Sequence, residues 1–513
     1  MHWDVPVELS PAEAAIAKRL SRIGRLYVFL RQIRHELFDA GFEAELEQAY
    51  GRARGTDALP PALLAMVTLL QAYDQVGDGD AVITAAMDKR WQMVLGCLGS
   101  EEAPFSQGVL VRFRERMVEH NLDRKLLDRT VELAKVKGGF AWQKLKVALD
   151  SSPLLGAGRV EDTWNLIGRA LSLVVDCAAK VVGLPRDRII EEAKLDVLRG
   201  PSIKVALDIN WDDPAEQKEA LKRLLEAVGR AQAWVAERAG EGANEPPLRE
   251  ALAALRRVVE QDLEPDPTNG SPSIRRGVAH DRTPSLGDRQ MRHGRKSKAR
   301  AFTGYKRHIA KAHGLIVAAL VQPANQPEHE ATAGLLQAAR QHGAIEELHI
   351  DRGFLGSPTV DEFYAGGGLV LCKPWPSRNR GRFTKLDFRI DLAANKVTCP
   401  AGAAVPIDGP GSKAQFPART CKECDLRSQC TTGRHGRSVA IHPQEKLLLE
   451  LRQRRETRDG RQDLRQRVTV EHSLAAIAAI QGPRARYKGT RKNSLDLRRC
   501  AAVANLQALR SAA

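Results

Sequence analysis

The stretch KLKVALD, residues 144–150, sets Leu145, Val147 and Leu149 against Lys146, Ala148 and Asp150. Alternation with a period of two predicts a strand with one face in a core, and this strand ends on an acid. SSPLLGAG, residues 151–158, reads as the loop beyond it. Upstream of Gly138 and Gly139 the texture is helical. PAEAAIAKRLSRIGRLYVFLRQIRHELF and PPALLAMVTLLQAYDQ are long mixed runs, and FSQGVLVRFRERMVEHNLDRKLLDRTVELAKV repeats apolar residues every three or four positions. Residues 1–140 are therefore expected to form a helical N-terminal domain, either one that binds DNA ends or one that only packs; no sharp helix-turn-helix signature decides between them.

Downstream, residues 161–274 read as a helical insertion and linker. Runs such as AEQKEALKRLLEAVGRAQAWVAERAG give way to EPDPTNGSPS, where Pro, Gly and Asn break the pattern. GYKRHIAKA (304–312) and GLIVAALVQPAN (314–325) are two strands whose junction at His313-Gly314 suits a hairpin. EATAGLLQAARQHG (330–343) is a helix closed by Gly343. In IEELHIDRGF, residues 345–354, Leu348 and Ile350 face one way and His349 and Asp351 the other. GGGLVLCK (366–373) is a further short strand. In RQRVTVEHSLAAIAAIQG, residues 465–482, Val470, Leu474, Ile477 and Gln481 form a helical stripe with Glu471 at its edge. The order predicts an α/β (α+β) protein with a mixed sheet interrupted twice. Residues 141–160 and 275–373 supply the first parts of its core, 374–445 form a cysteine-rich insertion, and 446–513 complete the core with the Glu471 helix and a basic tail.

The chain has 513 residues, and 43% of them are hydrophobic, enough for a large core divided among roughly two to four domains. A disordered or fibrous chain is excluded. The apolar stretches around 59–73 and 166–184 are too short, or are broken by Arg169, Asp176 and Lys180, to be membrane spans. The opening MHWDVPVELSPAEAA carries acids where a secretory leader is basic and then apolar, so a cytoplasmic location is expected. Lys and Arg number 79 against 63 Asp and Glu, a formal charge of +16. That charge is regional: Arg275–Lys311 carries a net +10 and Arg452–Arg499 a net +9, leaving −3 for the rest. Clustered cations point to a polyanion such as nucleic acid. The alternative is a solvated face or, for the first segment, a disordered basic tail.

Asp150, Asp351 and Glu471 stand at the ends or edges of predicted elements. One such acid alone commonly starts a loop. Three brought together would repel and raise one another's pKa, so a cluster persists best around divalent cations, which take hard oxygen ligands. Of eight cysteines, Cys399, Cys421, Cys424 and Cys430 crowd together as C-x21-C-x2-C-x5-C. They are either a tetrahedral Zn²⁺ site or a cluster of reduced thiols. Cys97, Cys177, Cys372 and Cys500 lie in apolar surroundings and are expected to be small core residues. GAGR (156–159) and GDGD (77–80) lack the remaining residues of a phosphate-binding or calcium loop.

Several motifs resemble those of the DDE transposases of bacterial insertion sequences. They are VALDSSPL around Asp150, MRHGRKSKARAFTGYKRHIA from Met291, PANQPEHEA from Pro323, ELHIDRGFLGS around Asp351, CPAG from Cys399, CKECDLRSQCT from Cys421, RVTVEHSLA around Glu471, and GPRARYKGTRK after it. The group in question has a ribonuclease-H-like core and a cysteine-bearing insertion before its final Glu. The resemblance implies that Asp150, Asp351 and Glu471 form a catalytic triad binding two Mg²⁺ or Mn²⁺ ions. It also implies two DNA partners, the terminal inverted repeats of an element and a target, and a homodimer or larger assembly on DNA. Water would free a 3′ hydroxyl at the element end, and that hydroxyl would attack the target, with no covalent enzyme intermediate. Arg467, four residues before Glu471, either neutralises a phosphate, supports Glu471, or forms a plain i, i+4 pair. A related group adds a Tyr and a Lys at positions occupied here by Leu464 and Ala478, so that longer signature is not met. Arg292, His293, Arg295, Lys296, Lys298, Lys306 and Arg307 form one expected DNA-backbone segment. Arg484, Arg486, Tyr487, Lys488, Arg491 and Lys492 form another. Two rival readings share these residues: a metal-dependent endonuclease that does not join strands, and a non-catalytic DNA-binding descendant.

Overall fold

A computed structural model describes residues 1–50, 58–137, 144–297, 299–465 and 467–512. Six strands build the main sheet: β1 Lys144–Leu155, β2 Arg292–Ser297, β3 Arg300–Ala312, β4 Leu315–Pro323, β5 Ala344–Ile350 and β6 Leu369–Cys372. β3 is its spine. One edge of β3 pairs antiparallel with β1 from Leu155↔Gly304 to Val147↔Ala312. The other edge pairs first with β2, then with β4 from Tyr305↔Pro323 onward. Gly304 sits where β3 passes between those partners. Its φ of +149° and its closeness to the backbone of Leu154 and Gly156 leave no room for a Cβ. β5 lies parallel to β1 and β6 parallel to β5, so the order is β2-β3-β1-β5-β6, with β4 also paired to β3.

The expected hairpin between β3 and β4 turns through His313 and Gly314, both at positive φ (48° and 91°), as a two-residue hairpin turn requires. β1 runs further than its alternation suggests. SSPLL continues the strand because β3 keeps pairing with it, whereas the parallel ladder with β5 ends at Ala148↔His349. Asp150 is therefore within a strand, just past the level where one neighbour stops, and Pro153 falls in the part of β1 where a missing N–H is tolerated. β2, RHGRKS, has no apolar alternation to announce it.

The N-terminal helices are not a separate bead. Leu26, Leu64, Trp91 and Leu127 belong to the same buried core as Val147, Leu315, Leu348 and Ile477. The C-terminal helix, Thr490–Ala512, joins them and buries Leu495, Leu497, Val503, Leu506 and Leu509. Asn505 on this helix takes the Ile316 N–H at 2.8 Å and donates to Ile316 O and Thr130 Oγ1, tying β4 to helix Leu122–Lys137. The insertion after β1 packs helices Thr163–Val182, Pro214–Arg238 and Pro246–Asp262 around a core of its own, including Trp164, Leu171, Leu224 and Leu255. The break EPDPTNGSPS forms a small antiparallel ribbon, Leu263–Pro265 with Pro272–Ile274. The cysteine-rich segment has a third core around Phe388, Val397, Phe416 and Val439. Among the described residues, no helix is long and apolar enough to cross a membrane.

Candidate active site

Asp150 on β1, Asp351 just after β5, and Glu471 on the helix Val468–Gln481 line one cleft of about 820 Å³. That helix presses Val470, Leu474 and Ile477 into the core, which leaves the Glu471 side chain about half exposed (49%) at the rim. Two contacts anchor it: Lys311 Nζ on β3 donates to Thr469 O at 2.9 Å, and Gln75 Nε2 of the N-terminal helices donates to Ala479 O at 2.8 Å. Each aspartate accepts the backbone N–H of the residue that follows it, Ser151 to Asp150 and Arg352 to Asp351, both at 2.8 Å.

Arg467 stands between two of the acids, with Nη2 at 2.7 Å from Glu471 Oε1 and Nη1 at 3.5 Å from Asp150 Oδ1. Helical spacing explains the first contact; the second is a tertiary one that no local pattern contains. Burial pushes the Asp150 carboxyl above the usual Asp range. The charges of Glu471 and Asp351 add to that rise, while Arg467 and the Ser151 N–H oppose it. Three hard carboxylates lining one cleft, two of them bridged by Arg467, are donors of the kind that suits Mg²⁺ or Mn²⁺. Among the described residues, however, no three His, Cys, Asp or Glu side chains stand close enough together to hold an ion.

The cleft wall is basic. Arg295, Lys296, Arg300, Lys306 and Arg307 line it with the acids. Arg300 is an addition to the expected set; it sits inside the same charged run and carried no distinguishing signal. Lys306 is half-buried and gives Nζ to Gln326 O at 2.8 Å. Arg307 is buried and braced on Ser152 Oγ, Gln481 Oε1, Gly482 O and Pro153 O, so it joins β1 to the end of the Glu471 helix. Arg292 is paired with Asp281 at 2.6 Å, and His293 lies between Arg282 and Thr303. Lys298 lies outside the described residues. In the later run, Arg484, Arg486, Lys488 and Lys492 are exposed. Arg486 reaches Val76 O, Arg491 pairs with Asp123, and Tyr487 lies near the guanidinium groups of Arg114 and Arg499.

The four clustered cysteines line a second cavity of about 480 Å³ in the cysteine-rich segment. Arg437 N–H donates to Cys421 Sγ at 3.4 Å. Burial raises the Cys430 thiol, with smaller contributions from Cys421, Cys399 and Cys424.

A family model described as a transposase DDE domain matches residues 398–510, the stretch that holds all four clustered cysteines, Arg467 and Glu471. A transposase domain model (DUF772) matches residues 18–116 in the N-terminal helices. No curated protein and no solved structure matches the chain. One transposase domain model matches towards each end of the molecule, and the two matches together support an insertion-sequence DDE transposase.

Proposed function

We propose that the cleft carries out metal-dependent phosphoryl transfer on DNA, cutting at insertion-sequence ends and joining the freed 3′ hydroxyl to a target. The single observation that carries this reading is that Asp150, Asp351 and Glu471, from three distant segments, line one cleft whose other wall is basic. The sheet supports a ribonuclease-H-like core, since β1, β3 and β4 run as an antiparallel meander and β5 and β6 follow parallel to β1. Asp150, Asp351 and Glu471 are the residues that would hold the ions. The chemistry a bound pair of Mg²⁺ or Mn²⁺ supplies is activation of the attacking oxygen and stabilisation of the leaving one.

The chain's own contribution is orientation and charge. The Ser151 and Arg352 N–H groups fix one oxygen of each aspartate. Arg467 balances Asp150 and Glu471 before cations arrive. Arg295, Lys296 and Arg300 lie where a phosphodiester chain entering the cleft would pass, and contacts of this kind position DNA without reading its sequence. The test is incubation of the protein with duplexes carrying the element ends, Mg²⁺ and a supercoiled target plasmid. Joined products are expected; cleaved ends without joining would instead support the endonuclease, and binding alone the non-catalytic descendant. Lys296→Ala should weaken end binding and reduce the slope of log affinity against log salt by about one, read by anisotropy titration across a salt series.

We further propose that Cys399, Cys421, Cys424 and Cys430 take Zn²⁺, because four soft sulfur donors share one cavity. Elemental analysis of purified protein should find one zinc per chain, and Cys421→Ser should lower both zinc content and melting temperature. A zinc-free protein that melts identically with and without chelator would refute the site.

A further inference from the structure

The motif PANQPEHEA, residues 323–331, contains an acid that the proposed chemistry leaves without a task. Glu328 lines the same cleft as Asp150 and Asp351. Its Oε1 accepts the Ser151 hydroxyl at 2.5 Å. Its Oε2 occupies the place a Cβ at position 353 would need, so Gly353 is the residue that lets the carboxylate approach. These contacts fall one residue past Asp150 and two past Asp351.

One residue touched aims an aspartate directly, and the other is next to the residue that aims the second. Ser151 gives its N–H to Asp150, and Arg352, next to Gly353, gives its N–H to Asp351. One carboxylate thus joins β1 just past Asp150 to the turn just past Asp351. The joint is needed because the β1–β5 ladder stops at Ala148↔His349, so no backbone pairing between these strands extends to the level of Asp150 and Asp351. Glu328 itself has firm footing: it opens the short helix Glu328–Ala331, which leads into helix Thr332–Arg340 with Ala331, Leu335, Leu336 and Ala339 buried. Beside Ser151 on β3 its register partner His308 is fully buried, edge-on to Phe354 of the turn after Asp351.

We propose that Glu328 is a positioning residue of the reaction centre, a clamp that sets the separation of Asp150 and Asp351 where the sheet no longer does. The proposal rests on the reading of Asp150, Asp351 and Glu471 as that centre. Glu328 acts through the Ser151 hydroxyl and the Gly353 contact, as an acceptor and a spacer. A shift of about 1 Å in such a constellation costs on the order of 10²-fold in rate, and loss of groups that orient metal-ligating side chains typically costs about 10- to 100-fold in metal affinity.

The experiment uses the full chain and compares Glu328→Ala, Glu328→Gln and Ser151→Ala, with Asp150→Asn in parallel. The readouts are calorimetric Mn²⁺ binding without DNA, the Mn²⁺ concentration giving half-maximal end cleavage, and melting temperature. Glu328→Ala and Ser151→Ala should each weaken Mn²⁺ binding and raise the half-maximal concentration about tenfold or more. Glu328→Gln, which keeps an oxygen for the Ser151 hydroxyl, should recover most of what Glu328→Ala loses. Should Glu328→Ala fail to fold, Ser151→Ala removes one oxygen atom only and must still show the shift. Wild-type Mn²⁺ titrations in Ser151→Ala, or a Glu328→Gln protein as impaired as Glu328→Ala, overturn the clamp. If Asp150→Asn also binds Mn²⁺ and cuts normally, the reaction-centre reading has failed; if only Asp150→Asn is dead, the clamp alone has failed.

Discussion

Asp150→Asn, Asp351→Asn and Glu471→Gln should each abolish strand cleavage while leaving binding to element ends largely intact. Each swap keeps the shape of the side chain and removes its charge, so the cleft walls and their cations are unchanged. Losing one preorganised charged group from a reaction centre costs about 10²- to 10³-fold, and removal of an ion-holding acid should lie at or beyond the upper end. The three variants should differ in stability. Burial lifts the folded-state pKa of Asp150 above its ordinary value, so the ionised carboxyl costs stability at pH values above that folded pKa, and the cost disappears as pH falls through it. Asp150→Asn should therefore melt higher than wild type near pH 7 to 8 without divalent ions, with the gap closing towards acid. Glu471 is half exposed and paired only at the rim, so Glu471→Gln should melt close to wild type. Single-turnover cleavage on labelled ends, with melting curves at two pH values, tests both parts. Wild-type cleavage by any of the three would remove that residue from the centre.

How much of this was legible depended on how local each cause is. The alternation in KLKVALD exposed the first strand, and helical spacing exposed the stripe under Glu471, because in both cases neighbouring residues carry the signal. SSPLL reads as a loop because two serines and a proline do not alternate; its strand character comes from β3, whose residues 304–308 lie some 150 positions later. RHGRKS carries only a charge signal, and its pairing with the adjacent β3 has no apolar alternation to mark it. The charge count itself was ambiguous in the same way. Arg292, Arg307, Arg491 and Arg499 contributed to the two basic segments, yet the fold turns them onto Asp281, backbone carbonyls, Asp123 and Asp496. Arg467 was placed by its four-residue offset from Glu471, but its approach to Asp150 had no sequence signature. Glu328 carries no local signal in PANQPEHEA, since its neighbours are Ser151 within β1 and Gly353 after β5, both far from it in the sequence.

The second large effect is on stability, and it follows from the shared core of the two ends of the chain. Asp123 opens helix Leu122–Lys137 with its side chain 1% exposed, and takes Arg491 at 2.6 Å and Arg498 at 2.8 Å from the C-terminal helix. Asp123→Ala would strand two guanidinium groups against a buried surface, and breaking a buried pair in this way costs about 3–5 kcal/mol. The lower end is expected, because Arg491 is 34% exposed and also donates to Val118 O, while Arg498 keeps Ala319 O. Urea unfolding of Asp123→Ala should therefore show a midpoint shift equivalent to about 3 kcal/mol, in one transition shared by the N-terminal helices and the main sheet. A single transition is required because Leu127 and Val131 share their core with Val503 and Leu506 and with β4, so the N-terminal helices cannot melt while the sheet stays intact. An early transition confined to residues before β1, or a shift below about 0.5 kcal/mol, the scale of an ordinary surface substitution, would show that the N-terminal helices are only docked on the reaction core and not built into it.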